Sequence, residues 1–424
     1  MKKNVKYTLS LLSASLSLCS LSVFAKSDSL TVWAWDPNFN IAIMQTAKEI
    51  YQAKNPDVEI KIEDFAKADV EQKMQAMLAS GMSDTLPDIV LIEDYNAQKF
   101  LTSYPGAFEP MNGKVDYSQF APYKIKMMTV DDKTYGLPFD TGVTGLYYRT
   151  DYIEQAGFKK EDLQNITWDR YIEIGKTVKE KTGKFMMGME PAEAGLVRIM
   201  MHSAGSWYFD DNGELNLKNN TAFKRALELQ KEMHKAGIVR PALGWSDWVS
   251  VFTSGDSTSI INAGVWITPT VESTKDQAGK WAVAPLPKLT GVDNATHYSN
   301  IGGSSWYVFS ASPNKDKAIE FLNETFGKDV SFYDKILTER GAVGTFIPAS
   351  QSEAYKKPIE FFGGQTIYQD FANWFGQIPS INYGLYTYEA DEALKALMPA
   401  YFNDQMTLDQ LIEELETSLQ YQIQ

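Results

Sequence analysis

Aromatic side chains stand beside short polar side chains at several places along the chain, and these clusters are the residues best suited to recognise a ligand. The clusters are Trp35-Asp36-Pro37-Asn38-Phe39, Glu93-Asp94-Tyr95-Asn96, Asp140-Thr141-Gly142, Ser206-Trp207-Tyr208, Gly264-Val265-Trp266, Gly302-Gly303-Ser304-Ser305-Trp306 and Asn373-Trp374-Phe375. A sugar ring has an apolar face that packs on an aromatic ring, and its hydroxyl groups need both acceptors and donors. Ionised partners strengthen each of these hydrogen bonds. The composition of the clusters therefore indicates a carbohydrate site.

Each aromatic residue also has a simpler interpretation as packing in the core, and the neighbours of each tryptophan separate two groups. Glycine or polar neighbours favour a place in the site for Trp35, Trp207, Trp266 and Trp374. The tryptophans that we assign to the core are Trp33, Trp168, Trp281 and Trp306. Asp36 and Asp94 fit ligand contacts and helix N-caps alike, and the sequence leaves both interpretations open.

No motif of a catalytic, cofactor or metal site accompanies the clusters. The three histidines are scattered, no Gly-x-Ser-x-Gly turn or phosphate-binding glycine loop occurs, and no dinucleotide fingerprint follows the first predicted strand. The run Asp210-Asp211-Asn212-Gly213 lacks the full ligand pattern of a calcium loop, so an exposed turn is the favoured interpretation. We therefore predict a protein that is not an enzyme and that needs neither a cofactor nor a metal ion.

A secreted glycoside hydrolase is an alternative that shares this composition. Such an enzyme needs two opposed carboxyl groups at a set separation, and the sequence alone cannot place two of them. The predicted strands and helices do not alternate eight times, which disfavours a barrel enzyme.

The first quarter of the chain predicts the elements that position two of the clusters. Strand patterns at Ser29–Trp35, Val58–Glu63 and Leu86–Ile92 alternate with helical patterns at Ile43–Tyr51 and Val70–Leu78. In the first strand Val32 and Ala34 face one way and Thr31, Trp33 and Trp35 face the other, and Gly81 closes the second helix. The alternation of strands and helices predicts a parallel, doubly wound sheet with right-handed crossovers. Ligands of such sheets bind beyond the carboxyl ends of the strands. The first two clusters follow the first and third strands, so we expect them at this edge.

The rest of the chain mixes strands with a mainly helical middle. Strands are predicted at Gly142–Tyr148, Trp281–Pro285 and Ser305–Phe309, and helices at Trp168–Lys181 and Thr221–Lys235. Two further helices carry start signals. One has a serine cap followed by proline at Ser312-Pro313, and the other has a capping box formed by Thr407 and Gln410. No internal repeat or low-complexity linker divides the chain, so we expect two lobes that are interleaved in sequence.

The first residues form the three-part pattern of an export signal. A basic start precedes an apolar and small-residue run, Leu9–Phe24, and small residues end it at Ala25. We predict a signal peptide, residues 1–25, that is cleaved after Ala25 and directs a periplasmic protein. A lipoprotein acylated at Cys19 is the alternative; it is disfavoured because Leu18 stands where such signals need a small residue.

Motifs along the whole chain after the signal carry a family resemblance, and they are specific only in combination. They are Leu30–Trp35, Leu86-Pro87-Asp88-Ile89-Val90, Tyr135-Gly136-Leu137-Pro138, Ile261-Asn262-Ala263-Gly264-Val265-Trp266 and Ala311-Ser312-Pro313-Asn314-Lys315. The chain resembles the extracellular (periplasmic) solute-binding proteins, family 1, of carbohydrate ABC transporters, which include maltose-binding and lactose-binding proteins. Its segment Trp33–Asn40 is most similar to receptors of the lactose-binding type.

The resemblance implies an α/β fold of the periplasmic-binding-protein type II, in which two doubly wound lobes are joined by a three-crossing hinge. By matching motifs, we place the crossings near Asp140, Asn300 and Thr345. The N-lobe then takes residues 26–140 and 300–345, and the C-lobe takes residues 141–299 and 346–424.

The same resemblance implies which residues meet the ligand. Trp266 is similar to the aromatic platform of the C-lobe, while Asp94 and the loop 35–38 match contacts from the N-lobe. Gly302, Gly303 and Arg340 are weaker matches, and the C-terminal aromatic cluster adds Tyr383. The candidate ligand-binding residues are Trp35, Asp36, Asn38, Phe39, Glu93, Asp94, Asp140, Thr141, Trp207, Trp266, Gly302, Gly303, Arg340, Trp374 and Tyr383.

A substrate-binding component of a carbohydrate ABC importer is the function that the resemblance implies. Such a monomer captures a di- or oligosaccharide between its lobes and delivers it to permease subunits with an associated cytoplasmic ATPase. The net charge of −14 disfavours binding to nucleic acid or to an anionic membrane. A receptor of the same fold for a cationic solute such as a polyamine stays open, because aromatic and acidic side chains also bind cations.

Overall fold

The computed structural model describes residues 29–82 and 85–423. The predicted signal peptide and the alternative site at Cys19 lie outside these residues. None of the helices in the two described ranges is both long and apolar enough to cross a membrane.

Strands and helices alternate through the described residues. The strands are β1 Ser29–Ala34, β2 Glu59–Asp64, β3 Ile89–Glu93, β4 Thr129–Val130, β5 Lys133–Thr134, β6 Leu137–Pro138, β7 Leu146–Arg149, β8 Phe185–Met189, β9 Val239–Pro241, β10 Ser257–Ile260, β11 Trp281–Ala284 and β12 Ser304–Val308. The longer helices are α1 Asn40–Gln52, α2 Lys67–Ser80, α3 Asp94–Ser103, α4 Pro122–Met127, α5 Thr150–Gln155, α6 Trp168–Thr182, α7 Ala194–Ser203, α8 Thr221–Lys235, α9 Gly244–Thr253, α10 Thr268–Glu272, α11 Lys315–Thr325, α12 Val330–Arg340, α13 Ile347–Ser350, α14 Ile367–Phe375, α15 Thr387–Phe402 and α16 Leu408–Ile423.

The first sheet has the strand order β2-β1-β3-β12-β6. The predicted parallel arrangement is confirmed for β1, β2 and β3. It is wrong for the other two strands, since β12 runs antiparallel to both β3 and β6. The chain enters β12 at Ser304, which pairs with Glu93 at the carboxyl end of β3, and must therefore run back along the sheet. This entry brings the glycines before Ser304 to the edge where the ligand is expected.

Both faces of the first sheet are covered, as the alternation along β1 predicts. Val32 and Ala34 join the larger buried cluster on one face. Trp33 points to the other face and packs in a second cluster with Val70 and Met74 of α2. Burial on two faces is what a strand between two layers of helices needs.

The second sheet has the strand order β11-β7-β10-β8-β9. β8 is parallel to β10 and to β9, while β7 is antiparallel to β10 and β11. Helices α6 and α9 pack on this sheet, and α7, α8, α15 and α16 pack against one another beyond it. The structure therefore has two α/β units, each built on its own sheet. The unit of the first sheet is called the first layer below, and the unit of the second sheet is called the second layer.

The three predicted crossings between the sheets lie side by side. Asp140 forms an antiparallel bridge with Gly344, and Val143 forms one with Asn300. The Thr345 N–H donates to the carbonyl of Phe139 at 2.9 Å. The three segments are therefore hydrogen-bonded to one another between the two sheets. The lobe boundaries that we place there stay a prediction.

Predicted starts and ends of elements agree with the structure where a local signal sets them. Gly81 adopts a left-handed φ of 71° and ends α2. The capping box before α16 is confirmed: the Gln410 N–H donates to Thr407 Oγ1 at 3.2 Å, and the Thr407 N–H donates to Gln410 Oε1 at 2.9 Å. The predicted helices α6 and α8 are also present, and α8 has the predicted bounds.

Three predicted starts are wrong, because distant partners hold the residues concerned. The expected start at Ser312 moves to Lys315, since the Ser312 hydroxyl donates to Asp88 Oδ1. The same carboxylate accepts from the Thr31 N–H at 2.7 Å. The Asp88 side chain therefore links the segment before β3 to β1, and β3 begins only at Ile89. β7 likewise begins at Leu146, because the residues before it belong to the crossing.

The four tryptophans assigned to the core are all buried, which confirms that part of the prediction. Their exposed fractions are 6% for Trp33 and 0% for Trp168, Trp281 and Trp306.

Candidate functional site

A cavity of about 540 Å³ opens between the carboxyl ends of the first sheet and the loops and helices of the second, a size typical of sites for small molecules. Its lining residues are Trp35, Asp36, Asn38, Phe39, Asn40, Glu93, Asp140, Trp245, Trp266, Pro269, Thr270, Gly302, Gly303, Ser304, Glu339 and Arg340.

The predicted site residues divide into those that line this cavity and those that do not. The lining residues among them are Trp35, Asp36, Asn38, Phe39, Glu93, Asp140, Trp266, Gly302, Gly303 and Arg340. The predicted residues that lie outside the lining are Asp94, Thr141, Trp207, Trp374 and Tyr383, and each is less than a tenth exposed.

The loop after β1 forms one wall of the cavity. Asp36 adopts a left-handed φ of 64°, which aspartate tolerates better than most residues. Its Oδ1 accepts hydrogen bonds from the N–H groups of Asn38 at 3.1 Å and Phe39 at 3.2 Å. Asp36 therefore fixes the turn that precedes α1, and its exposed carboxylate also faces the cavity.

Glu93 lies at the carboxyl end of β3 with two partners of its own. Its carboxylate accepts from the Lys67 ammonium and from the Tyr388 hydroxyl. The Lys67 ammonium also donates to the Tyr388 hydroxyl at 2.8 Å. Lys67 belongs to α2 and Tyr388 to α15, so this three-residue contact joins the two α/β layers at the edge of the cavity.

The floor of the cavity is backbone that only glycine can form. Gly302 and Gly303 have left-handed φ values of 75° and 90°. A Cβ on Gly303 would lie 2.6 Å from Asp94 Oδ2. The following Ser304 N–H donates to Asp140 Oδ1 at 2.7 Å. This bond orients the buried Asp140 carboxylate. Burial raises the pKa of this carboxylate above its usual value.

Asp94 lies directly beneath this floor in a buried ion pair. The Lys124 ammonium donates to both of its carboxylate oxygens, at 2.7 and 2.8 Å, and to the Ser304 carbonyl at 2.9 Å. Burial raises the pKa of Asp94 to about 7, while Lys124 opposes the shift. The N-cap interpretation is not borne out, since the cap of α3 is Glu93 and no side chain caps it. Asp94 instead supports the floor from below.

Trp266 is one of two aromatic residues that the second layer brings to the cavity. Its indole N–H donates to the Ile301 carbonyl at 3.0 Å, which ties the ring to a crossing segment. Gly264 must be a glycine, because a Cβ there would lie 2.5 Å from Trp266 Nε1. The ring is partly buried, so it combines a fixed orientation with a free surface.

Trp245 also lines the cavity, although it is not among the predicted site residues. It is 59% exposed and lies 6.1 Å from Trp266 between ring centroids. The preceding Gly244 gives it the same glycine-and-tryptophan signature that identified Trp266. That signal was present in the sequence and could have found it.

Trp207 and Tyr383 belong to a buried aromatic group behind the floor. Their ring centroids are 4.7 Å apart, and both rings pack on Tyr95. The Tyr95 hydroxyl accepts from the Gly302 N–H at 3.2 Å, so this group holds the glycine floor in place. We assign it a supporting role.

The remaining two predicted residues are also packed away from the lining. The Thr141 hydroxyl shares a hydrogen bond of 2.6 Å with Tyr123. Trp374 packs on Phe371, with ring centroids 5.1 Å apart, and against the backbone at Gly145.

His202 completes the buried group and makes its stability dependent on pH. Its Nε2 lies 2.8 Å from the Pro379 carbonyl, and its Nδ1 lies 3.5 Å from the Tyr383 hydroxyl. Nε2 donates and Nδ1 accepts, which suits a neutral ring. Burial lowers the pKa of His202 to about 4, from the usual 6.5. As pH falls, His202 is therefore protonated in the unfolded chain before it is protonated in the folded protein.

We expect the free energy of unfolding to fall between pH 7 and pH 5 by about 2 kcal/mol more in the wild type than in a His202→Gln variant. The contribution of His202 is fully present above its usual pKa and is lost as pH falls toward its pKa in the fold. Urea unfolding at several pH values measures the difference. Parallel pH profiles for the two proteins would show that His202 is not the responsible group.

Within residues 29–82 and 85–423, no group of three or more histidine, cysteine, aspartate or glutamate side chains is placed to hold a metal ion. The polar side chains among the lining residues are carboxylates, the amides of Asn38 and Asn40, the hydroxyls of Thr270 and Ser304, and the Arg340 guanidinium. This combination can accept and donate hydrogen bonds to a ligand rich in hydroxyl groups, while the aromatic rings cover its apolar faces.

Comparison with known proteins identifies a family for this chain. Residues 46–363 match the model of a family described as bacterial extracellular solute-binding protein. A lactose-binding protein of Rhizobium radiobacter is 55% identical over 413 residues, which are 97% of this chain and 97% of that protein.

Solved structures share the fold at low sequence identity. The structure of an extracellular solute-binding protein of family 1 matches with a TM-score of 0.77 at 17% identity and covers 92% of this chain and 99% of that one. A sugar-binding protein of the phytopathogen Xanthomonas citri matches with a TM-score of 0.76 at 17% identity and covers 92% and 95%.

Proposed function

Because this chain belongs to the family of bacterial extracellular solute-binding proteins, we propose that it is the sugar-binding component of a carbohydrate ABC importer. Its fold is α/β, of the periplasmic-binding-protein type II, with one sheet in each of two lobes. Proteins of this kind bind a solute and do not transform it, and we assign no enzymatic step to the cavity.

The observation that carries the proposal is the pairing of aromatic and polar surfaces across one cavity. Trp266 presents a ring from the second layer, and Trp35 presents another from the first. Asp140 and Glu93 supply carboxylate acceptors at the strand ends. Charged acceptors bind hydroxyl donors more strongly than neutral ones, and stacking on the rings removes the apolar face of a sugar from water.

We infer that the ligand is lactose or a closely related disaccharide. The relative that is 55% identical over nearly the whole length of both chains is a lactose-binding protein. The cavity volume lies within the range of sites that enclose small ligands.

Binding closes the two lobes on the sugar. Residues from both layers line the cavity, so a bound sugar contacts both at once and stabilises the closed arrangement. The hydrogen-bonded crossings near Asp140, Asn300 and Thr345 form the hinge, with the N-lobe at residues 26–140 and 300–345.

The closed, sugar-loaded protein then docks as a monomer on permease subunits that a cytoplasmic ATPase drives. The site of action is the periplasm, and the predicted signal peptide, cleaved after Ala25, directs the chain there.

Thermal unfolding of the purified protein against a panel of ligands tests this function. A ligand that binds only the folded state adds about 2.7 kcal/mol at 100 times its dissociation constant. We expect a clear rise in Tm with lactose, a smaller rise with other disaccharides, and none with spermidine or putrescine. A rise with the amines and none with any sugar would keep the fold and refute the carbohydrate function.

A further inference from the structure

Three tryptophans of the second layer, Trp248, Trp245 and Trp266, pack in a continuous array, and the last two line the cavity. Trp248 is 8% exposed and donates its indole N–H to the Gly188 carbonyl at 3.2 Å. Trp245 lies against it with ring centroids 5.2 Å apart, and the Trp266 centroid lies 6.1 Å from that of Trp245. The exposed member of the array, Trp245, therefore rests on a buried anchor.

The exposure of Trp245 is unusual for this protein. Among the described residues, the large apolar side chains with high exposure are Met82, Leu243, Trp245 and Tyr421, and Trp245 is the one that lines the cavity. An exposed indole leaves a large apolar surface in water, and a ligand that covers it gains the free energy of that burial.

The backbone that carries Trp245 is held firmly, although its side chain is exposed. The Asp247 carboxylate accepts from the Leu243 N–H at 2.9 Å and from the Arg240 guanidinium at 2.7 Å. The Gly244 N–H donates to Glu190 Oε1 at 3.1 Å. These bonds fix the start of α9, so the ring is a preorganised platform, and less ordering entropy is lost when a ligand binds.

The indole N–H of Trp245 has no hydrogen-bond partner among the described residues, whereas those of Trp248 and Trp266 donate to carbonyl groups. A free donor at the edge of an exposed ring suits a ligand with both an apolar face and hydroxyl groups. The planes of Trp245 and Trp266 are inclined by only 34°. With their centroids 6.1 Å apart, the two indoles offer neighbouring aromatic surfaces in one cavity.

We propose that Trp245 is the platform for the second sugar ring and makes the site selective for disaccharides over monosaccharides. This inference rests on the proposed sugar-binding function and extends it. The first ring packs on the partly buried Trp266, and the second ring covers the exposed Trp245. A monosaccharide that packs on Trp266 gains nothing from Trp245.

Titration of wild type, Trp245→Ala and Trp245→Phe with lactose and with D-galactose tests the proposal. We expect Trp245→Ala to weaken lactose binding about 10- to 100-fold and to leave D-galactose binding unchanged. Trp245→Phe keeps an aromatic surface and should retain part of the lactose affinity. Leu243→Ala is the matched control, because Leu243 is 77% exposed on the same loop but does not line the cavity.

Thermal unfolding at high D-galactose concentration registers binding that is too weak for titration. If lactose stabilises the wild type and D-galactose does not, both sugar rings are needed for binding. The lactose affinity of Trp245→Ala then decides whether Trp245 is the residue that binds the second ring. Unchanged lactose binding in Trp245→Ala, or an equal loss for both sugars, overturns the proposal while sugar binding by the wild type upholds the function. A wild type that binds neither sugar overturns the function and this inference together.

Discussion

Replacement of Trp266 by alanine is expected to weaken lactose binding about 100- to 1,000-fold, as measured by isothermal titration calorimetry. Its ring is the one aromatic surface in the lining that is both partly buried and tied to a crossing segment, through the hydrogen bond to the Ile301 carbonyl. The substitution therefore removes the stacking surface and loosens the contact between the second layer and the hinge.

Trp266→Phe separates the two contributions. Phenylalanine keeps a stacking ring but lacks the N–H that donates to Ile301, and one such bond contributes about 1 kcal/mol. We expect this variant to stay within about tenfold of the wild type. Wild-type affinity in Trp266→Ala would remove Trp266 from the site, and equal losses in both variants would assign its effect to the hydrogen bond alone.

Replacement of Lys124 by methionine is expected to lower the free energy of unfolding by about 3–5 kcal/mol. Lys124 and Asp94 have exposed side-chain fractions of 0% and 1%, so the variant leaves a buried carboxyl group that must either stay charged without its cation or take up a proton, and both cost free energy. It also leaves the Ser304 carbonyl without the donor that Lys124 supplies at 2.9 Å. Urea unfolding at pH 7.5 measures the change.

The chain offers a matched control two residues away. Lys126 is 42% exposed and pairs with Asp211, which is 79% exposed, at 3.1 Å. Exposed pairs contribute about 0–1 kcal/mol, so Lys126→Met should change stability little. A double variant, Asp94→Asn with Lys124→Met, should recover part of the loss because no charge stays buried. Equal effects of Lys124→Met and Lys126→Met would contradict the role of the buried pair.

Local periodicity predicted the first sheet well, because each element there is set by its own residues. The alternation along β1 identified both faces of a two-sided strand, and Gly81 ended α2 as expected. The direction of β12 could not be predicted in this way. Strand direction depends on the side from which the chain enters the sheet, and here the chain enters from the other layer at Ser304.

The predicted site residues line the cavity where aromatic and polar residues follow strands, and they lie outside the lining where a distant partner decides what a side chain does. The indole N–H of Trp207 donates to Thr387, 180 residues away, and this bond keeps the ring inside the protein. Asp94 is 30 residues from Lys124. Nothing local distinguishes these side chains from ligand contacts. Trp245 is the opposite case, since the glycine beside it was a usable local signal.

The most direct test of the central claim is calorimetric titration of the purified protein with lactose, followed by recovery and analysis of the sugar. If the protein binds lactose without transforming it, we expect saturable binding of one lactose per chain and complete recovery of intact lactose after hours of incubation. The absence of binding by lactose and by related disaccharides would contradict it, and so would the appearance of galactose and glucose in the recovered sugar.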